Sequence, residues 1–153
     1  MPDSHYDRLL SDFGQLCGLP DLRFDARGLC PLHIAGWLAL ALRLDRRRAR
    51  LLLIAGAPGA PPAEIGPHRL AALLAASLDA FADGEPLIGW QPASGLWLAA
   101  LDLPEPVSAA QLLDQVAAFA QWYHVWANGP DFPLPAPAPD TPSRNGDFHA
   151  RYA

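Results

Sequence analysis

The residues best suited to chemistry are Cys30 and His33, because a thiol with an imidazole base is the arrangement of cysteine nucleophiles. They lie in Gly28-Leu-Cys-Pro-Leu-His-Ile34, which has the pattern of a strand. Side chains three positions apart on a strand point to opposite faces, so this pair cannot hydrogen-bond directly. We therefore expect no cysteine nucleophile. Cys17 and Cys30 match no C-x-x-C spacing, and both are expected to be buried cytosolic thiols.

The other polar candidates are isolated. His68 and His124 have no second His, Cys or Glu at a metal-ligand spacing, and neither is expected to form a site. Ser11-Asp12 and Ser77 lack the G-x-S-x-G elbow of a serine hydrolase. Gly56-Ala-Pro-Gly59 lacks the lysine and the spacing of a phosphate loop. The sequence thus predicts no catalytic residue, no metal and no cofactor, and a small hydrolase or metal enzyme would need polar groups that cannot be assembled.

One basic cluster, Arg46-Arg-Arg-Ala-Arg50, could contact an anion. We interpret it instead as the solvated cap of a hairpin turn, which also discourages edge-to-edge aggregation. The chain has 153 residues and a formal net charge of -5, and such an acidic balance disfavours nucleic acid and anionic lipid as partners. The N-terminus has no apolar signal region and no stretch is long enough to insert into a membrane, so we expect a soluble, cytosolic protein.

The elements that must position these residues follow from hydrophobic periodicity. Apolar residues at three- and four-residue spacing predict a helix from about Ser4 that ends at Gly18. Short strands are predicted for Leu22 to Asp25 and up to Ile34, with Asp25-Ala-Arg-Gly28 as the turn and Gly28 at positive φ. Alternation from Trp37 to Leu44 and the apolar run Leu51 to Ala55 predict two more strands, the second of them central.

The second half repeats the mixture of helix and hairpin. A proline- and glycine-rich loop is expected from Gly56 to Pro67, and a helix with small apolar residues on its surface then ends at Asp83-Gly84. A hairpin is predicted from Leu87 to Trp90 and Leu96 to Leu101. Ser108-Ala-Ala-Gln111 is the capping box of a long last helix.

These elements predict an α+β fold in the order α-β-β-β-β-α-β-β-α. Three helices should accompany a twisted, mainly antiparallel sheet of about five to six strands. Residues 1–128 are expected to form the domain, because the proline-rich composition of 129–153 favours an extended or disordered tail with some polyproline II character.

The first half of the chain resembles class I type III secretion chaperones. The resemblance rests on a helix ending in Gly18-Leu19, a short segment ending in Asp25, the run Gly28-Leu-Cys-Pro-Leu-His-Ile34 and the leucine-rich hairpin after it. Leu51-Leu-Leu-Ile-Ala-Gly56, the Leu73-Leu74 helix and the capped last helix continue it to about residue 126. The acidity usual in this family is muted here, and the proline-rich tail lies outside the family core.

The resemblance implies a homodimeric, non-catalytic chaperone in the bacterial cytoplasm. Such a protein binds the non-globular N-terminal region of a secreted effector and delivers it to components of the secretion apparatus. A dimeric regulator of secretion or transcription that binds a partner protein through the same fold is the alternative.

The residues themselves suggest where partners bind. An extended peptide can add to a free sheet edge through backbone hydrogen bonds while its side chains enter neighbouring pockets. For effector binding we select the apolar residues of the first helix and first strand together with two hairpin tryptophans: Leu9, Phe13, Leu16, Leu22, Phe24, Trp90 and Trp97. For the dimer interface we select residues of the alanine-rich helix and the Leu96–Leu101 strand: Leu70, Leu74, Ala75, Leu78, Leu96 and Leu98.

Overall fold

A computed structural model describes residues 2–34, 36, 38–104 and 107–129, with the side chains of residues 2–4 excepted. Within these ranges the chain forms three α-helices, five strands and a short 3-10 helix at Pro62–Glu64. The helices are α1 (Pro2–Cys17), α2 (Pro67–Asp83) and α3 (Ala109–Ala127). The strands are β1 (Leu29–Ile34), β2 (Leu38–Asp45), β3 (Arg50–Pro58), β4 (Leu87–Gln91) and β5 (Leu96–Leu103).

All five of these strands join one antiparallel sheet in the order β1-β2-β3-β5-β4. The central position of β3 confirms the prediction from its apolar run. In the register, Leu42 lies opposite Leu53, and Leu53 lies opposite Leu101. Directly opposed residues share a face, so these leucines mark one side of the sheet.

Helices α1 and α3 pack on that side and on each other. Their inner faces contribute Leu10, Phe13, Leu112 and Phe119, all of which are almost completely buried. The 3.6-residue period of each helix and the two-residue period of the strands place these side chains in one core.

The opposite face of the sheet carries a second, smaller apolar cluster. Leu29, Ala41 and Ile54 are buried there, and the partly buried residues packed around them, including Leu52 and Leu98, also come from the strands. Within the described ranges this cluster contains no helix residue. The sheet is therefore apolar on both faces, as expected for its central strands.

The helix ends follow their sequence signals. The Ser108 hydroxyl accepts a hydrogen bond from the Gln111 N–H, and the Gln111 side chain accepts one from the Ser108 N–H, which completes the predicted capping box. Helix α2 begins with Pro67 and ends at Gly84, whose φ of 71° is the left-handed conformation of a helix C-terminus.

Two sequence predictions are wrong in detail. Residues 22–25 form no strand, so three strands rather than four precede α2. The backbone N–H of Asp25 instead donates to the Leu29 carbonyl at 2.8 Å, which folds this segment back as a turn beside β1. The expected loop at Gly56 is also wrong, because β3 continues to Pro58, where it pairs with Leu96 of β5.

The prediction of an extended tail falls on residues 130–153, which lie outside the described ranges, as does Trp37. None of the helices in the described part of the chain has the length and apolar character that crossing a bilayer requires.

Candidate functional site

Helix α1 places its predicted binding residues in two environments. Leu9 and Phe13 are buried against α3 and the sheet, so their side chains belong to the core of the protomer. Leu16 is 57% exposed, although it continues the same apolar spacing. It lies in the last turn of α1, beyond the part of the helix that the core covers.

The chain turns directly after Leu16 and leaves a second leucine exposed. Gly18 takes a φ of 70°, and the Leu19 N–H donates to the Gly14 carbonyl at 2.7 Å, which is the Schellman end of a helix. Leu19 is 44% exposed. Leu19 was not among the predicted binding residues, because the sequence analysis interpreted Gly18 only as the end of the helix and did not consider the direction of the chain after it.

Leu22 and Phe24 follow this turn and are half-buried against the main core. Leu22 packs next to Gly14, since a Cβ placed on that glycine would lie 3.5 Å from the Leu22 Cδ1 atom. We group the accessible apolar residues of the last turn of α1 and of the segment that follows it under the name α1-end surface: Leu16, Leu19, Leu22 and Phe24.

The β1 edge of the sheet begins immediately after the α1-end surface. The Leu44 N–H donates to the Gly28 carbonyl at 2.8 Å. Because backbone groups alternate in direction along an antiparallel strand, those of Cys30 and Leu32 also face β2, whereas those of Leu29, Pro31 and His33 face outward.

Only part of this edge is open. The Leu29 N–H donates to Asp25 Oδ1, and its carbonyl accepts from the Asp25 N–H, both at 2.8 Å. Pro31 has no N–H to offer. Three outward backbone groups of β1 therefore find no partner among the described residues: the Pro31 carbonyl and the N–H and carbonyl of His33.

The two hairpin tryptophans lie at the other side of the sheet. Their ring centroids are 5.5 Å apart, and the buried Trp97 donates from Nε1 to the Ala60 carbonyl at 2.9 Å. Trp90 is half-buried. Since β1 and β4 are opposite edges of the sheet, about 19 Å apart at 4.8 Å per strand, the structure does not bring Trp90 to the α1-end surface.

The residues selected for a dimer interface also divide into two groups. Leu74, Ala75 and Leu78 lie on the outer side of α2, where Leu74 and Leu78 are 66% and 69% exposed. Leu70 is half-buried on the inner side of the helix. Helix α2 buries only Leu73 fully, so most of its apolar stripe has no cover within the described protomer.

The remaining two, Leu96 and Leu98, lie on the sheet face opposite α1 and α3. In the register, Leu98 pairs with Gly56 and Leu96 pairs with Pro58. These two β3 positions alternate with the β3 residues that face α1 and α3, so both leucines point to the opposite face of the sheet. Leu96 is buried and Leu98 is half-buried. Leu98 therefore presents the more accessible apolar surface of the pair.

The candidate nucleophile has the environment of a structural thiol. Cys30 is buried while His33 is exposed, as expected for their opposite faces. Burial raises the pKa of the Cys30 thiol to about 11, so it stays protonated near neutral pH. Among the residues that the structure describes, no group of three or more His, Cys, Asp or Glu side chains could hold a metal ion.

Comparisons with known proteins agree on one family. The family model of the Tir chaperone protein (CesT) family matches residues 8–126. The chain is similar to a chain in the structure of the HopA1–SchA chaperone–effector complex, with 31% identity and a TM-score of 0.69. That match covers 83% of this chain and 96% of the other. A comparison with curated protein sequences gives no significant match.

Two further structures share the fold at lower identity. A chain of the ExsC–ExsE complex aligns with a TM-score of 0.68 and 22% identity, over 81% of this chain and 92% of that one. A chain in the structure of the Yersinia pestis type III secretion chaperone SycH with a fragment of YscM2 aligns with a TM-score of 0.61 and 18% identity. It covers 78% of this chain and 98% of the other.

These matches confirm the resemblance stated from the sequence and the expectation of a protein that is not an enzyme. The family model begins within α1, at residue 8, and ends in the last turn of α3, at residue 126, so it includes every strand of the sheet. The chain belongs to the CesT family of Tir chaperone proteins.

Proposed function

We propose that this chain is a chaperone of a type III secreted effector, and that it holds the non-globular N-terminal region of that client in a secretion-competent state in the bacterial cytoplasm. Two observations carry the proposal in a member of a chaperone family: the accessible apolar residues of the α1-end surface and the partly open β1 edge.

The α1-end surface and the β1 edge are both suited to an extended peptide segment. An extended segment can form backbone hydrogen bonds with His33 and the Pro31 carbonyl, while its alternate side chains contact Leu16 and Leu19. A client that is unfolded before binding must be ordered at the contact, so affinity depends on a large buried apolar area. This mechanism needs neither a nucleotide nor a metal.

The two remaining groups of predicted residues contribute less directly. Leu9, Phe13 and Trp97 are buried, so their role in this proposal is to support the residues above them. Trp90 is accessible in part and lies at the far edge, where it can contact only a client that extends across the sheet.

We propose a homodimer in which the outer side of α2 is covered by a second copy. Leu74, Leu78 and Phe81 are each more than 60% exposed, and a stripe of this kind on one helix is typical of a protein interface. Leu78→Arg should place an unpaired charge in that interface, which costs several kcal/mol, about 3–5. Light scattering should then show a monomer, while Leu113→Arg on α3 should remain dimeric.

The division of the chain is part of the same proposal: residues 1–128 form the binding domain, and the rest is a tail that the domain does not require. Removal of 129–153 should therefore leave the dimer intact and lower the melting temperature by less than about 5 °C, roughly 1 kcal/mol for a domain of this size.

The function is tested by co-purification of tagged full-length protein from the native cytosol. Recovery of a secreted protein through its N-terminal segment supports the chaperone, whereas recovery of a cytosolic factor would identify a regulator. Leu16→Asp should weaken client binding by about 1–3 kcal/mol because it removes an exposed apolar contact. Val125→Asp is the matched control, because Val125 is 67% exposed on α3.

Circular dichroism must show both variants folded. Undiminished client recovery by a folded Leu16→Asp variant would contradict the assignment of the α1-end surface.

A further inference from the structure

Three aromatic rings stack along one flank of α3. The ring centroids of Phe119 and Trp122 are 6.2 Å apart with 22° between the planes, and those of Trp122 and Trp126 are 5.7 Å apart with 14°. Residues three and four positions apart are neighbours on a helix surface, so the row is continuous. Phe119 is buried, whereas both tryptophans are half-buried against the main core. The row therefore leads from the core to two accessible rings, Trp122 and Trp126, which we call the α3 indole pair.

One polar group of the α3 indole pair has no partner in the described part of the chain. The Nε1–H of Trp122 forms no hydrogen bond with any described residue. Trp97, in contrast, donates from Nε1 to the Ala60 carbonyl. A tryptophan N–H that is withdrawn from water usually has an acceptor. Trp122 thus offers one donor beside apolar ring surface, which suits a ligand that brings carbonyl groups on an apolar chain.

The chain leaves α3 directly beside this pair. The Gly129 N–H donates to the Trp126 carbonyl at 3.1 Å. A Cβ placed on Gly129 would lie 3.0 Å from the Val125 carbonyl oxygen and 3.3 Å from that of Trp126. Residue 129 is therefore held against the last turn of the helix, and whatever follows it starts next to Trp126.

The sequence that follows has the matching chemistry. Residues 133–139 read Pro-Leu-Pro-Ala-Pro-Ala-Pro, a composition that favours polyproline II. This conformation has no internal hydrogen bonds, so its carbonyl groups remain free to accept, and proline itself has no N–H. Proline-rich segments dock on surfaces lined by aromatic rings, because little conformational entropy is lost. The segment thus offers acceptors and apolar rings where the α3 indole pair offers a donor and apolar rings.

The segment is also long enough to reach both indoles. Trp122 precedes Gly129 by seven positions, about 10 Å at 1.5 Å per helical residue. Pro133 follows Gly129 by four positions, about 12 Å at 3.1 Å per residue, and the run to Pro139 adds about 19 Å. A chain that reverses at the end of the helix can therefore lie along α3 over the whole pair.

We propose that the α3 indole pair binds the chain's own segment 133–139 as polyproline II, with the Trp122 Nε1–H donating to one of its carbonyl groups. Covalent attachment gives the segment a high effective concentration, so a contact of low intrinsic affinity suffices. The contact lies outside a core that is already complete, which agrees with a tail that the domain does not require. The inference goes beyond the proposed function, because it concerns the free protein and involves no client.

The first test measures how fast the indole N–H groups of the full-length protein exchange with water, by NMR. In Pro135→Gly/Pro137→Gly the exchange of the Trp122 N–H should accelerate at least about threefold, because glycine removes both the ring and the preset φ of proline. Pro130→Gly/Pro142→Gly is the matched control. It removes as many prolines outside the segment and should leave the rate nearly unchanged.

The second test reads the contact itself. Nuclear Overhauser effects should connect the indole ring protons of Trp126 with δ-protons of the proline run in the native chain, and Pro135→Gly/Pro137→Gly should abolish them. Trp122→Phe keeps a stacked ring but removes the N–H, so it should weaken them. Trp90→Phe changes another half-buried tryptophan, on β4, and should not.

Three results would overturn the proposal. Exchange at Trp122 that is as fast in the native chain as in Pro135→Gly/Pro137→Gly would show that nothing covers the pair. Slow exchange in both proline variants would show that a different group covers it. Protection that rises with protein concentration would assign the pair to a second copy. All of these measurements use the free protein, so they neither support nor weaken the chaperone test, which uses the native client and Leu16→Asp.

Discussion

The two edges of the sheet are closed in different ways. At β1 the preceding turn closes the start of the strand, because Asp25 binds both outward groups of Leu29. At β4 a helix closes the strand at its second residue: the Ser77 hydroxyl of α2 donates to the Ile88 carbonyl at 3.2 Å and accepts from its N–H at 3.4 Å. In both cases one residue, Asp25 or Ser77, makes the two hydrogen bonds that a residue of a neighbouring strand would otherwise make.

The difference determines which edge can accept a peptide. Helix α2 packs along β4, so a strand approaching that edge would meet the helix. Among the described strands only β2 pairs with β1, and the open groups at Pro31 and His33 follow each other at the spacing of a strand. Because Asp25 occupies the outward groups of Leu29, a peptide can pair with β1 only at Pro31 and His33, and this fixes its position along the edge.

The largest effect should come from Gly28→Ala, which distorts the protected end of β1. Gly28 has a φ of 77°, and an added Cβ would lie 2.6 Å from the Leu44 carbonyl oxygen. Stability measured by urea unfolding should fall by at least about 2 kcal/mol. Gly95→Ala, also at positive φ but with open space around it, should cost only about 1 kcal/mol. Equal losses would contradict the role of the close approach to β2.

Asp25→Ala should come next, because it removes the side chain that accepts from the N–H groups of Arg27 and Leu29. We expect a loss of about 1.5–2 kcal/mol in the same unfolding experiment. Asp25→Asn retains one acceptor oxygen and should cost less. If alanine and asparagine behave alike, the carboxylate is not what closes this edge.

Ser77→Ala should have a smaller effect of about 1 kcal/mol, since both of its hydrogen bonds are long. Its signature is local: hydrogen exchange of the Ile88 amide should accelerate more than that of Trp97 in the paired strand. Unchanged exchange at Ile88 would show that packing of α2, not the hydroxyl, protects β4.

The smallest effect on stability is expected for His33→Pro. It removes only the outward N–H, as the native Pro31 already does two residues earlier, so the free energy of unfolding should change by less than about 0.5 kcal/mol. Client binding should weaken about three- to tenfold, the value of one backbone hydrogen bond. His33→Ala keeps the N–H and should bind normally; equal binding by all three proteins would place the client elsewhere.

Much of the fold could be predicted because its signals are local. The capping box at Ser108, the left-handed glycines and the period-two leucines of β2 each specify a structure within a few residues. The segment 22–25 was mispredicted because its apolar residues pack on the core without pairing, and only the later position of Leu29 shows what Asp25 binds.

The candidate site was harder to predict, because exposure depends on distant elements. Leu9 and Leu16 have the same spacing on α1, but α3 and the sheet cover only the first of them. Similarly, Ser77 is one polar residue in an apolar stripe, and its contact with Ile88 requires the hairpin to lie beside α2. Neither the exposure of Leu16 nor the contact between Ser77 and Ile88 can be recognised from the residues that neighbour them in the sequence.

The packing of α1 on α3 also has a consequence for synthesis of the protein. Helix α1 ends at Cys17 and α3 begins at Ala109, so α3 leaves the ribosome long after α1. At about 5–20 residues per second, the intervening chain takes about 5–20 s to make. During that interval Leu10 and Phe13 have no α3 to cover them. The nascent chain of this chaperone therefore presents an apolar helix of its own before it can cover that helix.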